Sequence, residues 1–278
     1  MSTRPLTFEL MLLALVAVHS LGCGLMRGAV SNLNRVQTSW NPSPPERAAF
    51  RADEGLEAVC AAGSLNYLVP VEGGVVLVDA GWDESGAQLE KALKGRKGLA
   101  VLLTHAHIDH RSAAHQFGAP VYLGRGDVPL LENRYHYKRF LVSLVSVLGV
   151  PPLPAQVIPV DDGAELIFGG RTFKAIALPG HTPGSTAWLT GPFLFTGDAA
   201  QSPLGDGIYP APGTVTEDMP GAYQSLSKLL GLDFETMLDA HYGRLDDPKR
   251  FLPVALVRGE SPDTLYDHPS TRPAGCKE

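Results

Sequence analysis

Residues 104–110 read Thr-His-Ala-His-Ile-Asp-His, which places three imidazoles and one carboxylate within six positions. They directly follow the apolar run Leu99-Ala100-Val101-Leu102-Leu103, which reads as a buried strand. A rigid strand that ends in a turn carrying the donors is an efficient way to fix metal ligands in space. Four donors so close together are more than one ion conveniently uses. The cluster therefore points to two ions side by side and demands a fold in which strand ends converge.

Three further candidate ligands follow the same rule. His181 lies in Leu178-Pro179-Gly180-His181-Thr182-Pro183-Gly184. Asp198 closes Phe195-Thr196-Gly197-Asp198, and His241 sits in Leu238-Asp239-Ala240-His241-Tyr242-Gly243. Each comes after an apolar run and beside small residues that let backbones approach closely. His and Asp donors without Cys suit zinc, and also iron or manganese. Asp198 taken alone has a plainer reading, because Thr-Gly-Asp also makes a good turn.

Between these motifs the chain alternates short strands with a few helices. Strands are expected at Leu56–Ala61, Ser64–Val69 and Val75–Asp79, with Gly73-Gly74 turning a hairpin. A helix is expected over Asp83–Lys94, capped by Asp83 and stopped by Gly95. Ser112–Phe117 is expected to start a short helix, and Pro120–Leu123 to form a strand. The second half adds strands at Gln156–Val160, Glu165–Phe168, Arg171–Leu178, Ser185–Leu189, Phe193–Phe195 and Thr236–Leu238, with helices at Pro220–Leu230 and Pro248–Val257. Strand groups interleaved with helices imply two packed sheets with helices outside, an α+β architecture.

The set of motifs resembles the metallo-β-lactamase superfamily, whose hallmark His-x-His-x-Asp-His stands here as His105 to His110. The resemblance spans about residues 56–258 and includes the Gly-His-Thr-Pro-Gly, Thr-Gly-Asp and Ala-His-Tyr-Gly segments. It implies a four-layer αββα sandwich with metals at one sheet edge. Carried over, it implies that His105, His107 and His181 hold one ion, that Asp109, His110 and His241 hold a second, and that Asp198 bridges both. The cofactor implied is two divalent ions, zinc foremost. Val78-Asp79-Ala80-Gly81 resembles the family's early strand-end aspartate, so Asp79 is expected to accept the outward N–H of a histidine ligand; its plainer reading is a strand-end cap.

Such a centre activates water against a carbonyl without a Ser or Cys nucleophile. The reaction class implied is hydrolysis of an ester, thioester or lactone, with Asp198 between the ions and Asp109 available for proton transfer. The Asp at position 198 resembles the glyoxalase II and lactonase branch, whereas β-lactamases of the family carry Cys or Ser there. Two departures stand out. The added C-terminal helical domain of glyoxalase II has no counterpart in the short stretch after His241, and the Tyr that lactonases place after the bridging Asp is missing from Asp198-Ala199-Ala200-Gln201. Tyr209 or Tyr242 is the candidate substitute. Arg111, where the family places Gly or another small residue, either meets an anionic substrate or pairs with a charge beside the cluster. The competing readings are a one-iron oxidoreductase resembling persulfide dioxygenases, a β-lactamase proper, and a non-catalytic metal-binding lipoprotein.

The bulk numbers fit a small-molecule enzyme. Of 278 residues, 44% are hydrophobic and 19% charged, with a net charge of −6. Nothing offers the basic stripe that nucleic acid requires. Residues 1–23 carry the apolar stretch Leu10–Val18 and Leu21-Gly22-Cys23, which reads as an export signal of lipoprotein type, lipidated at Cys23. That places the mature chain in the periplasm or attached to a membrane. Residues 24–54, with Asn41-Pro42-Ser43-Pro44-Pro45, read as a tether, 55–260 as the hydrolase domain and 261–278 as a loose tail. The apolar run Phe140–Val150 is read as a lid, a membrane contact or a core helix. His115, His136 and His268 are assigned no ligand role.

Overall fold

Near-continuous apolar runs such as Ser64–Val69 and Val75–Val78 cannot leave either face in water, so the strands they form must be covered on both sides. A computed structural model describes residues 55–61, 63–134, 137–138, 151–203 and 207–252. In the first half the strands are β1 (Glu57–Ala61), β2 (Ser64–Val71), β3 (Gly74–Val78), β4 (Gly98–Leu102), β5 (Val121–Gly124) and β6 (Val157–Val160). They form one sheet in sequence order, antiparallel from β1 to β3 and parallel from β3 to β6. The second half supplies β7 (Glu165–Phe168), β8 (Arg171–Ala177), β9 (Thr186–Thr190), β10 (Phe193–Gly197), β11 (Thr236–Asp239) and β12 (Arg244–Asp246). These build a second six-stranded sheet, antiparallel except between β10 and β11.

Period-two alternation sorts the side chains into three apolar layers. Leu65, Tyr67, Val76, Val78, Ala100 and Leu102 face Phe173, Trp188, Phe195 and Leu238 between the sheets. The opposite faces of β3 and β4, with Val75, Leu77, Val101 and Leu103, pack under α1 (Ala87–Leu93) through Leu89 and Leu93. On the far side, Ile176, Ala187 and Leu194 pack with Leu226 of α4 (Met219–Leu226) and with Leu229. Helix, sheet, sheet, helix is the four-layer sandwich expected. Trp188 lies in the middle layer and donates from Nε1 to the Leu103 carbonyl at 3.1 Å, tying the two sheets at the end where the site lies. Two backbone bonds reinforce that tie, Leu65 N to Ala240 O at 2.7 Å and Thr186 N to Thr104 O at 2.8 Å.

Several boundaries differ from the sequence reading. The hairpin turns at Glu72-Gly73, since Val71 pairs with Gly74. Gly74 is needed inside the strand, where a Cβ would stand 2.3 Å from the Lys97 carbonyl. Helix α1 starts at Ala87 rather than Asp83. The Asp83 carboxylate folds a preliminary turn by accepting Ser85 N and Ala87 N, and Gly86 takes a left-handed φ of 65° that keeps that turn out of the helix. The helix expected at Ser112–Phe117 forms earlier, as α2 (Ile108–Arg111), and the following residues are turns. Strand β12 was not expected; three polar-flanked edge residues carry too little periodicity to be read.

Of Pro248–Val257, the described part is one 3₁₀ turn at Pro248–Arg250. Cys23, the tether, Phe140–Val150, His136, His268 and the tail lie outside the described residues. No helix among the described residues is long and apolar enough to cross a membrane.

Candidate metal centre

Strands β3, β4, β10 and β11 run parallel within their sheets, and the loop that follows each carries a functional side chain. Asp79 follows β3, His105 to His110 follow β4, Asp198 follows β10 and His241 follows β11. The β8–β9 connection adds His181 from the same edge. All seven predicted ligands come together there. His105, His107 and His181 form one group whose donor atoms lie within 4.8 Å of one another, and Asp109, His110 and His241 form another. His181 Nε2 is 3.1 Å from His105 Nε2 and 2.9 Å from His107 Nδ1. Asp109 Oδ2 stands 3.6 Å from His110 Nε2 and 3.7 Å from His241 Nε2. Asp198 lies between the groups, with Oδ2 3.5 Å from His181 Nε2 and Oδ1 3.1 Å from His241 Nε2 and 3.7 Å from His110 Nε2.

The tautomers set by the surroundings fit a cation. Thr104 Oγ1 donates to Asp79 Oδ2 at 2.8 Å, so toward His105 Nδ1, 3.1 Å away, it accepts. Thr216 Oγ1 donates to the Ala211 carbonyl and in the same way accepts from His181 Nδ1 at 3.2 Å. Both rings therefore aim an Nε2 lone pair into the shared space. Asp79 Oδ2 lies 2.9 Å from His110 Nδ1, leaving a buried Nε2 with no hydrogen-bond partner. Three imidazole nitrogens converging at about 3 Å is the crowding that a metal–nitrogen bond of about 2.0–2.1 Å relieves.

The electrostatics split the site. Burial lowers His107 to about 4 and holds His105 and His181 well below their usual value, so this trio is neutral at pH 7. For His110, burial pulls down but the carboxylates of Asp109, Asp79 and Asp198 overcome it and push the pKa up to about 10. Against the same burial, Asp198 and Asp109 carry His241 up to about 9. Burial would raise Asp198, yet His241 and His110 hold its carboxyl well below the usual carboxylate range.

Two buried carboxylates escaped the sequence reading. Asp239 Oδ1 accepts from the backbone N–H groups of His241, Tyr242 and Gly243, and Oδ2 from Ser202 N, so it shapes the loop that presents His241. Asp127 Oδ2 accepts from Ala106 N at 2.8 Å and Thr182 Oγ1 at 2.7 Å, and Oδ1 from Gly184 N at 2.6 Å. Burial raises Asp127 to about 6 against these bonds. Tyr137 was missed as well; it is buried, its ring centroid lies 5.0 Å from that of His107, and its hydroxyl donates to the Ala106 carbonyl.

The remaining candidates sit as follows. Asp79 is behind His110, with a left-handed φ of 62°. Arg111 is buried at the end of α2, where Nη1 donates to the Leu131 carbonyl at 3.2 Å. Tyr209 is buried and pairs through its backbone with Gln201. Tyr242 is buried too, and burial raises its phenol above the usual range. His115 is in a turn with Nδ1 3.0 Å from the Ser112 carbonyl, apart from the ligand groups.

The family model described as "Metallo-beta-lactamase superfamily" matches residues 62–241, which takes in the whole ligand set. The chain belongs to this superfamily. Its relatives include a probable metallo-hydrolase of Bacillus subtilis, YflN, 27% identical over 70% of this chain and 86% of that protein. A hydroxyacylglutathione hydrolase of Hamiltonella defensa is 30% identical over 73% of this chain and 74% of its own length. Among solved structures, TTHA1623 in a di-iron-bound form is 28% identical, with a TM-score of 0.53 over 67% of this chain and 91% of that one. Superfamily membership, the converged His/Asp groups and relatives that are hydrolases make this chain a metallo-β-lactamase superfamily hydrolase with candidate divalent-metal ligands.

Proposed function

We propose that the chain is a dinuclear metallohydrolase of ester, thioester or lactone substrates. The observation that carries this reading is the position of Asp198 between the two groups, with Oδ2 3.5 Å from His181 Nε2 and 3.3 Å from His241 Nε2, and Oδ1 3.1 Å from His241 Nε2 and 3.7 Å from His110 Nε2. His105, His107 and His181 would hold one ion, and Asp109, His110 and His241 the other. Bound divalent ions supply an activated water near neutral pH and Lewis acidity toward a carbonyl. The di-iron form of a 28% identical relative supports a paired centre, and the hydroxyacylglutathione hydrolase relative supports acyl transfer to water.

The chain's own residues supply the rest. Asp79 holds His110 by its outer nitrogen, and Thr104 and Thr216 hold His105 and His181 by theirs, so the inward nitrogens of His105 and His181 stay as acceptors and that of His110 faces the site. Asp109 has a more open side chain than Asp198, 22% against 7% exposed, which supports its carrying a proton to the departing oxygen or sulfur. Arg111, buried and donating to the Leu131 carbonyl, is assigned to holding the end of α2 rather than to the substrate. Cys60 is disulfide-bonded, which supports an oxidising compartment and hence export.

A panel of lactone, acyl-thioester, aryl-ester and β-lactam substrates given to the metal-loaded mature chain tests the reading. Turnover of carbonyl esters, thioesters or lactones in preference to β-lactams is expected. A chain that turns over none of these while holding its metal is not such a hydrolase.

A further inference from the structure

Asp127 occupies the N-cap position of α3 (Val128–Leu131), yet its carboxylate makes no capping bond to that helix. It is fully buried and spends its acceptors elsewhere. Oδ2 takes the N–H of Ala106, the residue between His105 and His107, together with the hydroxyl of Thr182, the residue after His181. Oδ1 takes Gly184 N from the same loop as Thr182. One carboxylate thus joins the ligand loop that hangs from β4 in the first sheet to the ligand loop between β8 and β9 in the second.

The backbone around it leaves no slack. A Cβ on Gly124 would stand 2.0 Å from the Gly184 carbonyl, one on Gly126 2.6 Å from the Pro183 carbonyl, and one on Gly184 2.3 Å from Asp127 N. The β5–α3 turn and the His181 loop are therefore in backbone contact. Ala106 is held on its other side by the Tyr137 hydroxyl, 2.9 Å from its carbonyl oxygen. Thr182 is fixed further by Ser185 Oγ, at 3.0 Å from its N–H and 2.8 Å from its hydroxyl.

We propose that Asp127 is the positioning residue of the three-histidine group, setting the distance between His105 and His107 on one loop and His181 on the other. Asp127 touches none of the ligand nitrogens; it acts through the peptide of Ala106 and the side chain of Thr182. The proposal rests on the reading that these three histidines hold a divalent ion. Asp127→Asn keeps the volume but turns one acceptor into a donor, so one of the two loops must meet an N–H with an N–H. Thr182→Val removes one arm and keeps Asp127.

Both substitutions are made in a His241→Ala background, which isolates the three-histidine group from its neighbour. Cobalt(II) is titrated into the chelator-stripped proteins and followed by visible absorption, with thermal unfolding measured alongside. Asp127→Asn is expected to weaken cobalt binding by about 10–100-fold and to change the absorption envelope, and Thr182→Val to weaken it by about tenfold. A lower melting temperature with unchanged cobalt affinity and spectrum means that Asp127 only stabilises the fold, and overturns the proposal. If Asp127→Asn does not fold, Thr182→Val decides in the same way. A His241→Ala parent that binds no cobalt overturns the metal reading and this proposal with it, whereas a binding parent with unaffected variants overturns this proposal alone.

Discussion

His110 Nδ1 lies 2.9 Å from Asp79 Oδ2, and both side chains are buried, Asp79 behind the ligand His110. The same carboxylate accepts Thr104 N at 2.7 Å through Oδ1 and the Thr104 hydroxyl at 2.8 Å through Oδ2. Asp79 thus connects β3, the start of the histidine loop and the last histidine of the cluster. Its left-handed φ of 62° is a strained backbone position for a non-glycine residue, kept because three bonds depend on it.

Asp79→Ala should therefore act twice. It frees the His110 ring and is expected to lower metal affinity at the Asp109–His110–His241 group by about 10–100-fold, measured by equilibrium dialysis. It also leaves the Thr104 N–H buried without an acceptor, a loss of about 1–3 kcal/mol in urea unfolding. Unchanged metal affinity in this variant would show that His110 is oriented by something other than Asp79.

Protonation separates the two halves of the centre. In the metal-free chain His241 and His110 carry pKa values raised to about 9 and about 10, above the roughly 6.5 of an unfolded histidine. Their contribution to folding is complete below about pH 6.5 and is lost as pH rises through 9 and 10, so the metal-free chain should become less stable across that range. An ion entering this group must displace those protons, so its affinity should rise with pH up to the same range. In the three-histidine group burial lowers His107 to about 4 and holds His105 and His181 well below their usual value, so it is neutral at pH 7 and should bind with little pH dependence between pH 6 and 8. Calorimetric titration in buffers of different ionisation enthalpy counts the protons released; equal release from both groups contradicts the split.

Gly197 ends β10 with a φ of 53°, and a Cβ there would meet Thr104 Oγ1 at 2.3 Å. Gly197→Ala should cost about 1–2 kcal/mol from the left-handed backbone alone. It should also displace Asp198, the next residue, and so reduce bound metal. Loss of stability with full metal content would mean that Thr104 yields rather than Asp198.

Trp188→Phe keeps most of the ring volume of the middle layer but removes the bond to the Leu103 carbonyl. Leaving that buried acceptor unpaired should lower stability by about 1–3 kcal/mol in urea unfolding. Because Leu103 immediately precedes the ligand loop, metal affinity should fall in the same variant.

The ligand set was legible because donor chemistry was dense and always placed after an apolar run, as at Leu99–Leu103 before His105. The sandwich was legible for a related reason, since runs such as Val75–Val78 are too apolar to leave one face in water. Asp127 was not legible, because an aspartate just before Val128-Pro129 looks like a helix cap and only the tertiary fold diverts its carboxylate to two distant loops. Asp239 was not legible either, since a lone aspartate two residues before a ligand does not reveal that it gathers four backbone N–H groups. The short helix was displaced to Ile108–Arg111 because Ser112 closes it, its hydroxyl donating to the Ile108 carbonyl at 2.6 Å.

Metal content tests the central claim most directly. The purified wild-type chain and Asp198→Ala, loaded with zinc and freed of excess, are measured for metal per chain by elemental mass spectrometry. With Asp198 between the two groups, the wild type should hold two ions and Asp198→Ala no more than one, with hydrolysis lost alongside. One ion in the wild type, or two in Asp198→Ala with activity intact, would contradict the paired centre.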